Sequence, residues 1–218
     1  MILDVDGTLV DSNDAHAHAW VAAFASAGIT VAFDRVRRAI GMGGDKLMPA
    51  VSGVAEDSPV GKQIAARRGD IFRDQFLPRL RPFPGTRALV QRFAADGFTL
   101  VIASSAKEDE LHPLLEIAGV ADLIPTRTSS DDAENSKPEP DIIHAALDRT
   151  KSNPLQTVMI GDTPYDVEAA LRAGIRVVGV ECGGWRSEDL QGAVEVYDGP
   201  DDLLKHYDAS VFARLGSR

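Results

Sequence analysis

Two carboxylates, Asp4 and Asp6, stand two residues apart in the stretch ILDVDGTLVDS, just after a short apolar run and just before Gly7 and Thr8. More groups able to do chemistry follow: Ser104 and Ser105 after FTLVIA, Lys137 in SKPEPDI, and Asp162 and Asp166 in GDTPYD, which overlaps the end of QTVMIG. Four carboxylates brought to one place repel one another unless a cation sits among them. Hard oxygen donors of this kind suit Mg²⁺, which keeps several waters and takes one or two carboxylates together with a substrate phosphate. A carboxylate beside such an ion can attack phosphorus and form an aspartyl-phosphate. A second carboxylate, two residues on, can protonate the leaving oxygen and later activate water. Ser104, with Ser105 as the competing hydroxyl, and Lys137 would hold the transferring phosphoryl group, because that chemistry depends mainly on positioning and charge neutralisation.

Such convergence requires a scaffold that delivers these residues to one edge. Apolar runs with strand character, MILDV (1–5), FTLVIA (98–103), ADLIPT (121–126), QTVMIG (156–161) and IRVVGV (175–180), alternate with amphipathic helical stretches. TRALVQRFAADG and DELHPLLEIAGV are two of these, closed by Gly97 and Gly119 where helix ends are expected. The alternation predicts an α/β fold, a doubly wound, parallel, Rossmann-like sheet with helices on both faces. Ligands of such sheets bind beyond the carboxyl ends of the strands. Between about Asn13 and Arg81 no strand pattern occurs, only helical patterns separated by GMGG and VSGVAEDSPVG, and the turn-rich RPFPGT (81–86) marks the return. The predicted organisation is a catalytic core of residues 1–12 and 82–218 with a helical cap, 13–81, inserted after the first strand. That strand is short enough to be compatible with a start farther upstream.

Composition excludes several classes. The 218 residues, 44% hydrophobic and 26% charged, describe an ordinary globular chain. No apolar run approaches a membrane span, and Asp4 and Asp6 interrupt any signal-peptide core, so a cytoplasmic protein without membrane attachment is expected. The single cysteine, Cys182, rules out an internal disulfide and reads as a small residue after a buried strand rather than a nucleophile. A formal charge of -10 argues against nucleic acid as a partner. It also means that an anionic substrate needs local cations, which Lys137 and Mg²⁺ would supply.

DVDGT at 4–8, Ser104 after an apolar strand, Lys137 in SKPEPDI and GDTPYD at 161–166 resemble, in order and spacing, the four signature motifs of the haloacid dehalogenase superfamily. The resemblance covers nearly the whole chain, and the helical insertion is similar to the cap of the subgroup containing phosphoglycolate phosphatases and β-phosphoglucomutases. It implies an Asp4 nucleophile, an Asp6 acid/base, and Mg²⁺ held by Asp4, the Asp6 main-chain carbonyl and Asp162. Asp166 is a further metal candidate, or else orients Lys137 or a metal-bound water. Dehalogenation has no use for Asp6, so its presence favours phosphoryl transfer. The expectation is a Mg²⁺-dependent phosphatase, monomeric or homodimeric, acting on a small phosphorylated metabolite such as a sugar phosphate or phosphoglycolate.

Three alternatives remain to be weighed. A phosphosugar mutase of the β-phosphoglucomutase type would use a cap arginine near Gly44 in GMGGDKL, where this chain has none and Lys46 is the nearest cation. A catalytically silent binding protein would ordinarily have lost one of Asp4, Asp6, Lys137 or Asp162. A phosphorylation-controlled receiver module carries its acid on a middle strand and has no cap.

The insertion holds the remaining candidates. In SNDAHAHAW, His16 shares a helical face with Trp20 and Phe24, which reads either as a packed stripe or as a role for His16 beside Asp6; His18 points elsewhere. Gly43, Gly44, Asp45 and Lys46 are the candidate substrate-selecting face. Arg35, Arg37, Arg38, Arg67 and Arg68 read as solvated helix faces, His112, His144 and His206 as surface residues, and Trp185 as packing.

Overall fold

The computed structural model describes residues 1–216. Six strands, β1 (Ile2–Leu3), β2 (Val101–Ala103), β3 (Thr126–Thr128), β4 (Val158–Gly161), β5 (Arg176–Val180) and β6 (Glu195–Tyr197), form one sheet in the order β3-β2-β1-β4-β5-β6. Every neighbouring pair is parallel. The chain builds outward from β1 through β2 to β3, then returns to the other side of β1 for β4. That reversal makes the carboxyl ends of β1 and β4 the crevice where ligands of such sheets bind.

The central strands are apolar on both faces because helices cover both. Leu3, Ile102, Ile160 and Val178 enter one core cluster, whereas their neighbours Ile2, Val101, Met159 and Val177 enter the other. This is the period-two alternation of a strand, with both sides dry. Helices α5 (Thr86–Ala95), α6 (Glu108–Ala118), α7 (Asp141–Thr150), α8 (Pro164–Arg172), α9 (Pro200–Lys205) and α10 (Val211–Gly216) belong to this layer.

Two details depart from the sequence expectation. The run ADLIPT is not a strand: after Gly119, in the left-handed conformation that ends α6, Leu123 and Ile124 donate main-chain bonds to Val120 O and turn inward, with Ile124 1% exposed. Pairing with β2 begins only at Thr126. The apolar pattern there reflected a buried turn, which has no period of its own. Conversely, β6 escaped notice because a half-buried, three-residue edge strand carries no apolar run.

Between β1 and α5 lie α1 (Asn13–Ser26), α2 (Phe33–Arg37), α3 (Gly44–Ser52), α4 (Pro59–Ile71), a π-helical turn (Phe72–Phe76) and a 3₁₀ turn (Leu77–Arg79), with no named strand. Helix α4 starts as its sequence dictates, with the Ser58 hydroxyl accepting from Gly61 N and a proline in the first turn. The ends of the insertion run side by side: Asp11 N donates to Arg81 O at 3.0 Å, Phe83 N donates to Leu9 O at 3.0 Å, and Val10 bridges Pro82. Further bonds tie the insertion to the sheet layer, from Ser105 Oγ to Gly41 O at 3.1 Å and from Tyr165 Oη to Arg38 O at 2.7 Å.

The carboxy-terminal helices are held by aromatic packing. Phe93 on α5 meets Phe212 at 4.9 Å between ring centroids and Tyr207 at 5.7 Å, and all three are buried. Phe93→Ala should lower the unfolding free energy by about 3–5 kcal/mol, read from urea melts, while leaving activity per folded molecule unchanged.

Candidate active site

Strand β1 delivers Asp4 into the crevice, where its main-chain N–H continues the ladder to Ile160 O at 3.0 Å. The chain then turns sharply at Gly7, whose φ of 76° is left-handed. A Cβ at Gly7 would also come within 2.3 Å of Asp162 Oδ2, so this turn has room for glycine alone. The turn places Thr8 Oγ1 3.0 Å from Asp162 Oδ1 and 3.3 Å from Asp4 Oδ2, where its single proton serves one or the other. Asn13, at the start of α1, donates to Asp162 Oδ2 at 2.8 Å and to Gly183 O at 3.0 Å.

Lys137, from the segment between β3 and α7, reaches beneath Asp4 with 1% of its surface exposed. Its Nζ lies 2.7 Å from Asp4 Oδ1, 2.7 Å from Asp166 Oδ1 and 2.9 Å from Ala103 O. Burial opposes its charge, but Asp166 and Asp4 outweigh that and hold the ammonium protonated well above the usual lysine range. Asp166 is pinned from its other oxygen, which accepts from Thr163 N at 3.0 Å and Thr163 Oγ1 at 2.6 Å in the capping box that starts α8. One carboxylate thus caps a helix and aims the lysine.

Oxygens of Asp4, Asp162 and Asp166 lie within 4.8 Å of one another, all three residues buried. Burial raises the Asp4 carboxyl to about 7, Lys137 opposing and Asp166 adding to the rise. Burial, with Asp166 and Asp4 close by, pushes Asp162 well above the carboxylate range. These shifts are what a buried set of acids undergoes without enough positive charge, since a single ammonium faces three carboxylates. The donor set is hard oxygen throughout and fits Mg²⁺. Each of the three carboxylates has both oxygens engaged by the protein, Asp166 by Lys137 and Thr163, Asp162 by Thr8 and Asn13, and Asp4 by Lys137 and Thr8.

Asp6 turns the other way, toward the insertion. Its Oδ1 accepts from Ser12 Oγ at 2.5 Å and meets His16 Nε2 at 2.7 Å. The opposite ring nitrogen, Nδ1, is contacted by an Arg68 amino group. Arginine has only N–H groups to give, so Nδ1 must accept, and the ring proton sits on Nε2 facing Asp6. Arg68 NH1 in turn grips both oxygens of Glu110, at 2.7 and 2.6 Å, and the guanidinium lies over the Trp20 and Phe72 rings. Burial favours the protonated form of Asp6, but His16, Ser12 and Arg68 outweigh it and hold the carboxyl below its usual range. His16 is therefore both packed, stacked on Phe72 at 4.0 Å, and engaged with Asp6.

This network corrects the sequence reading of the arginines. Arg68 is not on a solvated face, because its partner Glu110 lies 42 residues away in α6 and is itself 2% exposed. Nor is Arg37, whose side chain reaches Asp14 and Gly183 O. Thr8, Ser12, Asn13, Arg68 and Glu110 carry site contacts that the motifs did not single out. Asn13 and Ser12 had a faint signal, being polar at the start of an otherwise apolar helix face.

A cavity of about 500 Å³ opens over Asp4 and Asp6, walled by His16, Ser104 and Ser105 and, from the insertion, by Gly43, Gly44 and Asp45. Ser104 is fully buried, its Oγ accepting from Ala106 N at 3.0 Å. Lys46 is absent from the wall. His18 is exposed against Phe33 and Phe76, and His112, His144 and His206 are exposed as expected. Trp185 packs on the second core cluster, away from the cavity. Cys182 Sγ lies 3.3 Å from Gly7 O, and burial, with the Asp162 charge, pushes its thiol far up, which leaves it a packing residue.

Residues 1–180 match the family model described as haloacid dehalogenase-like hydrolase. The chain is 30% identical to a phosphoglycolate phosphatase of Rhodospirillum rubrum over 208 residues, 91% of this chain and 86% of that protein. It is 28% identical to the "Probable phosphatase IndB" of Dickeya dadantii over 197 residues, 88% of this chain and 85% of that one. Among solved structures it superimposes on a hydrolase from Pseudomonas syringae with a TM-score of 0.89 at 28% identity, covering 95% and 97% of the two chains.

In metal-free buffer, Asp162→Asn should melt at or above the wild-type temperature, because it removes a charge from the acid cluster. Millimolar Mg²⁺ should raise the wild-type Tm by about 2–4 °C per kcal/mol of binding, and the variant's hardly at all. Arg68→Leu should cost about 3–5 kcal/mol in urea melts by stranding Glu110, and adding Glu110→Leu should recover most of the loss.

Proposed function

The chain belongs to the haloacid dehalogenase-like hydrolase family, and on that premise we propose that it is a Mg²⁺-dependent phosphatase that hydrolyses a small phosphorylated metabolite through an aspartyl-phosphate on Asp4. The observation that carries this reading is that Asp4 and Asp6 line one cavity and that the buried Lys137 backs Asp4, its Nζ 2.7 Å from Asp4 Oδ1. Relatives named as phosphatases support monoester hydrolysis as the reaction class.

The residues divide the work. Lys137 neutralises the phosphoryl oxygens and is aimed by Asp166. Ser104, with Ser105 beside it, supplies hydroxyl and backbone donors on the opposite side. Asp4 and Asp162, with the Asp6 main-chain carbonyl, hold Mg²⁺, which when bound supplies charge neutralisation for the transferring group. An Asp4 oxygen attacks phosphorus as the bond to the leaving alcohol breaks. Asp6, which lines the cavity, gives that alcohol its proton from Oδ2, the oxygen that Ser12 and His16 leave free. The carboxylate so formed is the state that His16, Ser12 and Arg68 favour, and it then takes a proton from water as the water oxygen attacks phosphorus. The phosphorus–Asp4 bond breaks, phosphate leaves, and Asp6 is protonated again.

Residues 13–81 act as a cap in this reading, with the paired segments at Val10–Asp11 and Arg81–Pro82 as its hinge. Closure excludes bulk water until the alcohol has departed.

Asp4→Asn should lower turnover by at least about 10³-fold with the fold intact. Asp6→Asn should lose roughly 10²–10⁴-fold and, mixed with substrate, accumulate protein heavier by one phosphoryl group in intact-mass spectra. Normal turnover by Asp4→Asn would remove the mechanism.

A further inference from the structure

The part of the cavity that must receive the leaving alcohol is acidic, and Lys137, which serves the phosphate in this reading, is not on its wall. Apart from Asp4 and Asp6, its wall carries seven carboxylates against three cations, Arg68, Arg73 and Lys107. Two of these cations are engaged already. Arg68 is held by Glu110 on both oxygens, and Arg73 lies between Asp70 Oδ1 at 2.8 Å and Asp109 Oδ2 at 3.0 Å. Lys107, exposed just ahead of α6, acts electrostatically on Glu56.

Among the described residues four of the wall carboxylates, Asp45, Glu56, Asp131 and Glu134, have no ion-pair partner, and of the four Asp45 and Asp131 accept hydrogen bonds while Glu56 and Glu134 do not. Glu56 is half-buried over the first turn of α3, so close that a Cβ on Gly44 would meet its Oε1 at 2.6 Å. A carboxylate therefore stands beside Gly44, on the side a side chain would occupy. Asp45 beside it accepts from the Ser136 hydroxyl and main-chain N–H, which fixes a further negative charge next to Lys137. Burial, together with Asp45 and Asp57, raises the Glu56 carboxyl above its usual range. A ligand bringing an amine or hydroxyl donors would relieve that crowding, and one bringing another anion would deepen it.

We propose that this half of the cavity selects phosphomonoesters whose leaving alcohol is uncharged and hydroxyl-bearing or carries an amine, and rejects those with a carboxylate or a second phosphate, with Glu56 as the principal discriminating residue. The proposal rests on the phosphatase reading for its reaction and on the wall charges for its selectivity.

Three esters of similar size separate these charges: phosphoglycolate with a carboxylate, glycerol 1-phosphate with hydroxyls, and phosphoethanolamine with an amine. Their kcat/KM values are measured with Mg²⁺, and their Kd values by calorimetry on Asp4→Asn, which binds without turnover. Glycerol 1-phosphate and phosphoethanolamine should exceed phosphoglycolate by about tenfold or more in both readouts. Glu56→Gln should narrow that gap several-fold, and Glu134→Gln, at an exposed position where folding is not at stake, should narrow it less. Phosphoglycolate binding or reacting as well as glycerol 1-phosphate overturns the proposal, as does a gap that neither substitution changes. If no ester turns over but the order of Kd values holds, the phosphatase reading fails and the charge selection stands.

Discussion

Like charges crowded at the end of a parallel sheet are the constraint on which the rest of this structure depends. Asp4 and Asp166 share one buried ammonium while Asp162 beside them has none, and the raised carboxyls of Asp4 and Asp162 record the imbalance. The surrounding residues partly meet it. Thr8 and Asn13 give hydrogen bonds to Asp162, Thr163 gives two to Asp166, and Ala103 O orients Lys137 between its partners. A charge arrangement that is unfavourable by itself is suited to receive a divalent cation and a phosphate together, since each supplies what the other and the protein lack.

Asp6 escapes this cluster by leaning on the insertion. The chain of contacts from Asp6 through His16 and Arg68 to Glu110 begins at the end of β1, crosses α1 and α4, and returns to α6. Its two ends belong to the sheet layer and its middle to the helices placed over the cavity. The state of the Asp6 carboxyl is thereby tied to how those helices sit, because moving α4 away would take Arg68 from both His16 and Glu110. A buried arginine and glutamate contribute little net stability as a pair, so their value here lies in fixing geometry.

The same helices set the polarity of the cavity. Glu56 puts a carboxylate beside Gly44, near where the resemblance would place a mutase's cap arginine. The similarity to a phosphoglycolate phosphatase, 30% identity over 91% of this chain, concerns the chain as a whole. It does not by itself determine the wall that meets the rest of the substrate.

Much of this was legible in the amino-acid order. Alternating apolar runs and amphipathic helices specified a parallel sheet, and Asp6, Ser104, Ser105 and Asp162 could be assigned to its carboxyl edge because each followed such a run within one or two positions. Local patterns carry that information, since strand period and helix caps are short-range properties. What lay beyond reach was long-range. Arg68 looked solvated because nothing near it in sequence announces Glu110, ADLIPT looked like a strand because a buried turn is as apolar as one, and β6 was too short to register. Only the tertiary structure decided which cations are free to meet a substrate, because pairing depends on which side chains share a few ångströms of buried space, and no spacing along the chain encodes that.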